Sequence, residues 1–151
     1  MDKFHDPRGR AYRAPGLTVY YQVRRCTHFA ECVRGLPAVF DVNQRPWVQP
    51  WKASPERVAE IVRRCPTGAL HYELDDGPPE APERPTRIHA VPDGPVTLRG
   101  ELSIDTPAGE LRDTRAALCR CGRTENQPFC DQACKRTGWR SEAPTSQGSD
   151  A

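Results

Sequence analysis

Apolar residues are scarce in this chain. Only 36% of its 151 residues are hydrophobic, aromatics make up 7%, and methionine occurs once. A large continuous core is therefore excluded, and small scaffolds this poor in apolar surface usually need a covalent or metal staple. No stretch approaches the roughly 18 apolar residues of a membrane span, and the opening MDKFHDPRGR lacks the apolar region of a secretory signal. There is no phosphate-binding glycine loop, no dinucleotide fingerprint and no nucleophile–base motif, so the chain is expected to have no catalytic site of its own. No internal repeat of 20–50 residues is visible. Lysine is nearly missing, with Lys3, Lys52 and Lys135 against nineteen arginines. That bias reads as composition and not chemistry.

The net charge of +2 is too small to call for nucleic acid, and no helix joins a basic face to base-reading residues. Charge is nevertheless uneven. Residues 1–74 carry 12 basic and 7 acidic side chains, residues 75–118 carry 5 and 9, and residues 119–151 carry 5 and 4.

What the chain does have is proline (16), glycine (11) and seven cysteines. An odd count argues against a complete disulfide framework. With no secretory signal, the chain reads as cytoplasmic, where closely spaced thiols more often mean metal than disulfide. Residues 1–16 read as a flexible basic arm that could steer an acidic partner. Leu17–Arg25, LTVYYQVRR, reads as a strand leading to Cys26. PAVFDV suggests a further strand or turn. Ser54 and Pro55 make a helix start, and PERVAEIVRRC places Val58, Ile61, Val62 and Cys65 along one face until Pro66 stops it. ALHYEL closes this unit as a strand, giving a small β-loop-β-α-β domain over residues 17–74. The acidic, proline-rich stretch 75–86 reads as an extended linker. RIHAVPDGPVTLRGELSIDT contains two alternating segments around a PDGP turn, hence a β-hairpin or meander. ALCRCG runs from strand into loop, and DQACKRTGW can form one short helix capped by Asp131. Residues 87–140 thus form a small β-rich domain, with a disordered tail at 141–151. The fold class expected is α+β.

Cys26, Cys32 and Cys65 stand at C-x5-C-x32-C, with Pro66 after the last. Bacterial ferredoxins use C-x2-C-x2-C for three ligands of an iron–sulfur cube, with a further cysteine before proline. On this chain those three positions are Cys26, Phe29 and Cys32, so the middle ligand is absent. Three thiolates can hold a [3Fe–4S] cluster, whereas a [4Fe–4S] cube would need a fourth ligand that is not cysteine. His28, next to the vacant position, is the candidate. With CTHFAEC, PAVFDVNQRPWV and RRCPTGAL, residues 17–74 resemble the divergent single-cluster ferredoxin domain of small bacterial proteins. That resemblance implies a ferredoxin-like fold and one cluster on Cys26, Cys32 and Cys65.

Cys119, Cys121, Cys130 and Cys134 lie within sixteen residues. Four soft ligands suit either zinc or a [2Fe–2S] rhomb with two thiolates per iron. The C-x-C pair is tighter than the usual zinc knuckle and suits one iron, while Cys130 and Cys134, at i and i+4, suit the other. The stretch resembles the CDGSH (NEET-type) iron–sulfur domain, C-x-C-x2-(S/T)-x3-P-x-C-D-G-(S/A/T)-H, through Cys119, Cys121, Thr124, Pro128, Cys130, Asp131 and Ala133. Two positions depart from it. Gln132 stands in place of the glycine and Cys134 in place of the histidine ligand. The resemblance implies a [2Fe–2S] cluster, here with all-cysteine ligation, a lower potential and no imidazole proton switch. Arg120, Arg123, Lys135 and Arg140 are candidates to bond cluster sulfur or a docking partner, and Trp47, Trp51 and Trp139 to shield the clusters.

The function expected is a two-cluster electron carrier exchanging single electrons with a redox partner protein, a reductase or oxidoreductase. No membrane or nucleic acid is involved, and the oligomeric state is open. An iron or redox sensor and a zinc-stabilised interaction module are the alternatives.

Overall fold

The computed structural model describes residues 8–27 and 29–141. Its architecture is α+β: two antiparallel three-stranded sheets with a few short helices. The first sheet orders β1 (Arg10–Ala14), β2 (Leu17–Tyr21) and β3 (Leu70–Leu74) side by side, with Ala14 opposite Leu17 and Leu17 opposite Leu74. Gly16, at φ +87°, makes the tight turn between β1 and β2 that a side chain would strain. A flexible arm through residue 16 is not what residues 10–14 do, because they pair fully with β2. The rest of the expected arm, residues 1–7, lies outside the described residues, as does 142–151 of the expected tail.

The strand expected over residues 17–25 stops at Tyr21. Gln22 turns the chain by accepting the Arg24 N–H on its side-chain oxygen, and Val23–Arg25 form a single 3-10 turn. α1 (Glu31–Gly35) follows, and PAVFDV contributes only an isolated bridge between Phe40 and Val48. α2 (Pro55–Arg63) begins as its sequence predicts, with the Ser54 hydroxyl accepting the Arg57 N–H at 3.2 Å. Its inner face, Val58, Ala59, Ile61 and Val62, packs on Leu17, Val19 and Leu70 of the sheet and on Val39, Phe40 and Val48. Each fully buried Val, Leu or Ile there contributes about 1.5–3 kcal/mol.

The second sheet orders β4 (Arg87–Ala90), β5 (Val96–Thr106) and β6 (Gly109–Leu118), with a register irregularity between Arg99 and Leu102. The β4–β5 hairpin turns at PDGP, where Val91 N–H bonds the Pro95 carbonyl at 2.9 Å. This sheet buries little of its own: its core is Leu102, Ile104, Ala116 and Phe129. α3 (Ala133–Thr137) is its one short helix.

Charged side chains join the second sheet to the first unit. Arg115 of β6, 1% exposed, donates to the carbonyls of Val62 (3.0 Å), Cys65 (2.7 Å) and Leu70 (2.8 Å), and its fork closes on Glu80 at 2.8 and 2.9 Å. Arg99 of β5 donates to the carbonyls of Arg63 and Arg64 at the end of α2, where the helix dipole favours a cation. Arg25 reaches the other way, to Asp113 and to the carbonyls of Thr67 and Arg115. Gly68, at φ +75°, lies under this contact. A Cβ there would stand 2.2 Å from the Arg25 guanidinium and 2.4 Å from the Arg115 carbonyl. Glu80 thus fixes part of the proline-rich stretch 75–86 against the interface.

Candidate metal centres

Cys26 follows the 3-10 turn, Cys32 sits in the first turn of α1, and Cys65 comes two residues after α2 ends. Three separate segments thus bring their thiols to the lining of one small cavity of about 30 Å³, shared with Tyr21, Trp47, Pro66 and Leu70. Cys26 and Cys32 also line a wider cleft of about 790 Å³ that opens outward beside Arg10, Arg45 and Trp47. Tyr21 and Trp47 meet edge to face, ring centroids 4.9 Å apart, so the wall between site and sheet is aromatic. Trp51, by contrast, is half exposed.

Local geometry holds these cysteines in place. Ala30, in the left-handed region at φ +66°, turns the chain into α1. Arg34 donates to the Phe29 carbonyl at 2.9 Å, and the Cys65 sulfur lies 3.3 Å from the Thr67 hydroxyl. Burial pushes the Cys32 thiol up to about 11, and the neighbouring Cys65 and Cys26 sulfurs add to the shift. Tyr21 is pushed well above its usual value by burial and by Cys26, to which it hydrogen-bonds. Thiols that oppose one another's ionisation in an apolar cavity are the donor set that a multivalent iron group stabilises, since binding displaces their protons and neutralises their charge. The residues present fit such a group. His28 lies outside the described residues.

The second set is built on the end of β6. Leu118 bridges to Phe129, Cys119 N–H bonds the Pro128 carbonyl and Cys130 N–H bonds the Ala117 carbonyl, both at 2.9 Å. Cys119 and Cys130 are thereby held on a short continuation of the sheet. Cys119 and Cys121 stand with their sulfurs 3.8 Å apart. Two thiolates on one tetrahedral ion at ~2.3 Å are separated by about 3.8 Å, so this pair already has the spacing of one iron's two ligands. Cys134 lies in α3; Cys130 precedes that helix, so the two are close in sequence without sharing a helical face. Both are buried, and the ionisation of Cys130 is opposed by burial and then by Cys134 and Cys119. Among the described residues no three His, Cys, Asp or Glu side chains converge as one bare ion would require.

The polar side chains Thr124 and Asp131 of this loop are scaffolding. Thr124 donates to the Phe129 carbonyl at 2.7 Å and accepts the Asn126 N–H. Asp131 accepts the N–H groups of Glu125 and Ala133 and pairs with Arg136, so it fastens the loop although Gln132 takes the N-cap position. Gly122 N–H points at the Cys119 sulfur at 3.2 Å and Gln132 N–H at the Cys130 sulfur at 3.4 Å. Burial opposes ionisation of Cys119, but the backbone N–H groups of Thr124, Gly122 and Arg123 outweigh it and hold that thiol below its ordinary range. Arg120 is engaged elsewhere, on the Gly94 and Val91 carbonyls and over the Trp139 ring.

The two sets are neighbours. Asn126 donates to the Arg24 carbonyl at 2.9 Å, the Arg25 guanidinium lies 4.6 Å from the Phe129 ring centroid, and Gln132 donates to the Thr27 carbonyl at 2.5 Å. Sequence reasoning missed this junction entirely. Its only signal was a pair of arginines, Arg25 beside Cys26 and Arg115 next to the apolar run at residues 116–118.

Comparison with known proteins divides the chain at the same places. A family model described as a divergent 4Fe-4S mono-cluster matches residues 12–75, and one described as an iron-binding zinc finger of CDGSH type matches residues 93–133. The uncharacterized protein YjdI of Escherichia coli (strain K12) is 33% identical over 63 residues, 42% of this chain and 83% of that protein. YjdI of Escherichia coli O157:H7 matches with the same figures.

Proposed function

This chain belongs to the family of divergent 4Fe-4S mono-cluster proteins and carries a CDGSH-type iron-binding domain behind it, and from that premise we propose that it is a two-cluster electron carrier. It is an iron–sulfur protein. The carrier reading rests on one observation above the others: the first set of thiols is gathered from three separate segments into a walled cavity, and the second is held on a backbone-supported loop beside it.

Cys26, Cys32 and Cys65 hold the first cluster, [3Fe–4S], or [4Fe–4S] with a fourth ligand for which His28 is the candidate. Cys119, Cys121, Cys130 and Cys134 hold a [2Fe–2S] cluster by thiolate alone. When bound, each group supplies a one-electron couple whose valence change leaves its ligand cage nearly in place. The chain does the rest. Tyr21 and Trp47 wall one side of the first set, and the Gly122 and Gln132 N–H groups aim positive dipole at the sulfurs of the second, which favours the reduced state. The order strand, helices, strand around the first site is a ferredoxin-like arrangement in this reading. The partner is a redox protein, a reductase or oxidoreductase, and the open cleft flanked by Arg10 and Arg45 offers it a cationic rim.

Iron, sulfide and zinc analysis with electron paramagnetic resonance tests the proposal. Oxidised [3Fe–4S] is paramagnetic and oxidised [4Fe–4S]2+ is silent, so the as-purified and dithionite-reduced spectra separate the two forms. A carrier keeps both clusters through repeated reduction and reoxidation. Loss or conversion of either on each cycle would defeat the carrier reading, and zinc without iron at the second site would defeat its cluster.

A further inference from the structure

Gln132 is one of three described non-glycine residues with positive φ, at +68°. Left-handed backbone is unfavourable for a residue with a Cβ, and glycine adopts it freely. A side chain kept at such a position must offset that strain, and this one has a visible partner. Its Nε2 donates to the Thr27 carbonyl, 105 residues away, at 2.5 Å. Its own backbone N–H meanwhile points at the Cys130 sulfur. One residue therefore touches both ligand loops. Thr27 is one residue step from Cys26, and Gln132 is two steps from both Cys130 and Cys134; each step is ~3.8 Å.

The contact does not act alone. Residues 24–27, which lead into and past Cys26, are gripped again by Asn126 at the Arg24 carbonyl and by Phe129 under Arg25. Cys65, the third ligand of the first set, gives its carbonyl to Arg115 of the other sheet. Three of these contacts, at Thr27, Arg25 and Cys65, fall on a cysteine of the first set or on its chain neighbour.

We propose that Gln132 is a positioning residue: it latches the second ligand loop to the first, so that the two iron–sulfur groups sit at one fixed, short separation and behave as a magnetically coupled pair. The proposal rests on the two-cluster reading and deepens it, since a latched pair presents one redox unit to a partner instead of two independent ones.

Q132G is the informative variant, because glycine suits the +68° backbone and removes only the side chain. In the dithionite-reduced full-length protein, both clusters being paramagnetic, the wild type should show split or broadened signals with spin relaxation accelerated several-fold over an isolated [2Fe–2S] centre. Q132G should narrow the signals and slow that relaxation several-fold at unchanged iron and sulfide content. Independent, additive signals from two intact clusters in the wild type, or an unchanged Q132G spectrum, would overturn the latch while leaving the carrier reading standing. A protein without two iron–sulfur clusters would instead remove the reading beneath it. Amide hydrogen exchange needs neither cluster: residues 24–27 should exchange several-fold faster in Q132G, and equal exchange rates would overturn the latch by themselves. Q132K, which restores a donor of similar reach, should recover part of both effects; a Q132K protein identical to Q132G would count against the hydrogen bond as the cause.

Discussion

Arg25 and Asp113 meet at 2.7 Å across the junction of the two sheets, with side chains only 5% and 4% exposed. The same carboxylate accepts from His71 of β3 through its other oxygen at 2.8 Å. Arg25 precedes Cys26 and Asp113 lies on the strand that leads to Cys119, both proposed ligands, so this buried pair ties the two proposed centres together. Removing one partner of a buried ion pair leaves the other charge uncompensated, at a cost of about 3–5 kcal/mol. D113N should therefore lower the melting temperature by on the order of 10 °C. R25M should cost at least as much, because it also leaves the Thr67 and Arg115 carbonyls without their donor, and a D113N protein as stable as the wild type would show that packing, not charge, holds the junction.

Burial by itself would raise the Asp113 pKa; His71 and Arg25 reverse that and hold the carboxyl well below its ordinary 3.8. A depressed folded-state pKa contributes stability that is complete above the unfolded value and is lost as pH falls through the folded one. The wild type should accordingly hold this contribution at neutral pH and lose it progressively below about pH 4. D113N should show a shallower decline over the same range. Urea unfolding at a series of pH values measures it, and parallel slopes for the two proteins would sink the assignment.

Arg115 tests whether the second sheet supports the first centre. It satisfies the carbonyls of Val62, Cys65 and Leu70 from within β6 and is itself neutralised by Glu80. R115M keeps much of the volume and removes every donor, leaving buried carbonyls without partners at about 1–3 kcal/mol each. Cys65 is the ligand whose backbone loses its donor. The variant should lose stability and lose iron selectively from the first centre, seen as a fall in that cluster's signal while the [2Fe–2S] signal persists. Equal loss from both centres would mean Arg115 serves the fold alone.

These arginines mark the limit of what the sequence discloses. The ligand cysteines, the Ser54 cap, the inner face of α2 and the PDGP hairpin are local patterns, readable because spacing and capping act over a few residues. Arg25 and Arg115 look like the other arginines of an arginine-rich chain. What sets them apart is a set of backbone carbonyls 42 to 90 residues away, which no local pattern encodes. β1 was hidden for a related reason: RAYRA carries too few apolar residues to read as a strand, yet its pairing with β2 and the burial of Tyr12 hold it in the sheet. Gln132 was legible only as a departure from glycine, and its partner Thr27 was not legible at all.

In the proposed all-thiolate cluster, Cys134 is the ligand that sets the character of the second centre. It is buried in α3, close enough to Cys121 and Cys130 for its charge to oppose ionisation of both. A fourth thiolate adds negative charge to the cluster it ligates and so disfavours the reduced state, whereas histidine ligands in Rieske centres raise the potential by hundreds of millivolts over all-cysteine ones. C134H replaces one such ligand with a neutral, protonatable donor. It should raise the potential by on the order of 100 mV and make it pH-dependent between about pH 6 and 8, where imidazole titrates. Protein-film voltammetry across that range measures both effects, and the first centre's potential serves as the internal control. If the potential neither rises nor acquires a pH slope while the [2Fe–2S] signal remains, Cys134 is not a ligand and the cluster is completed by another group.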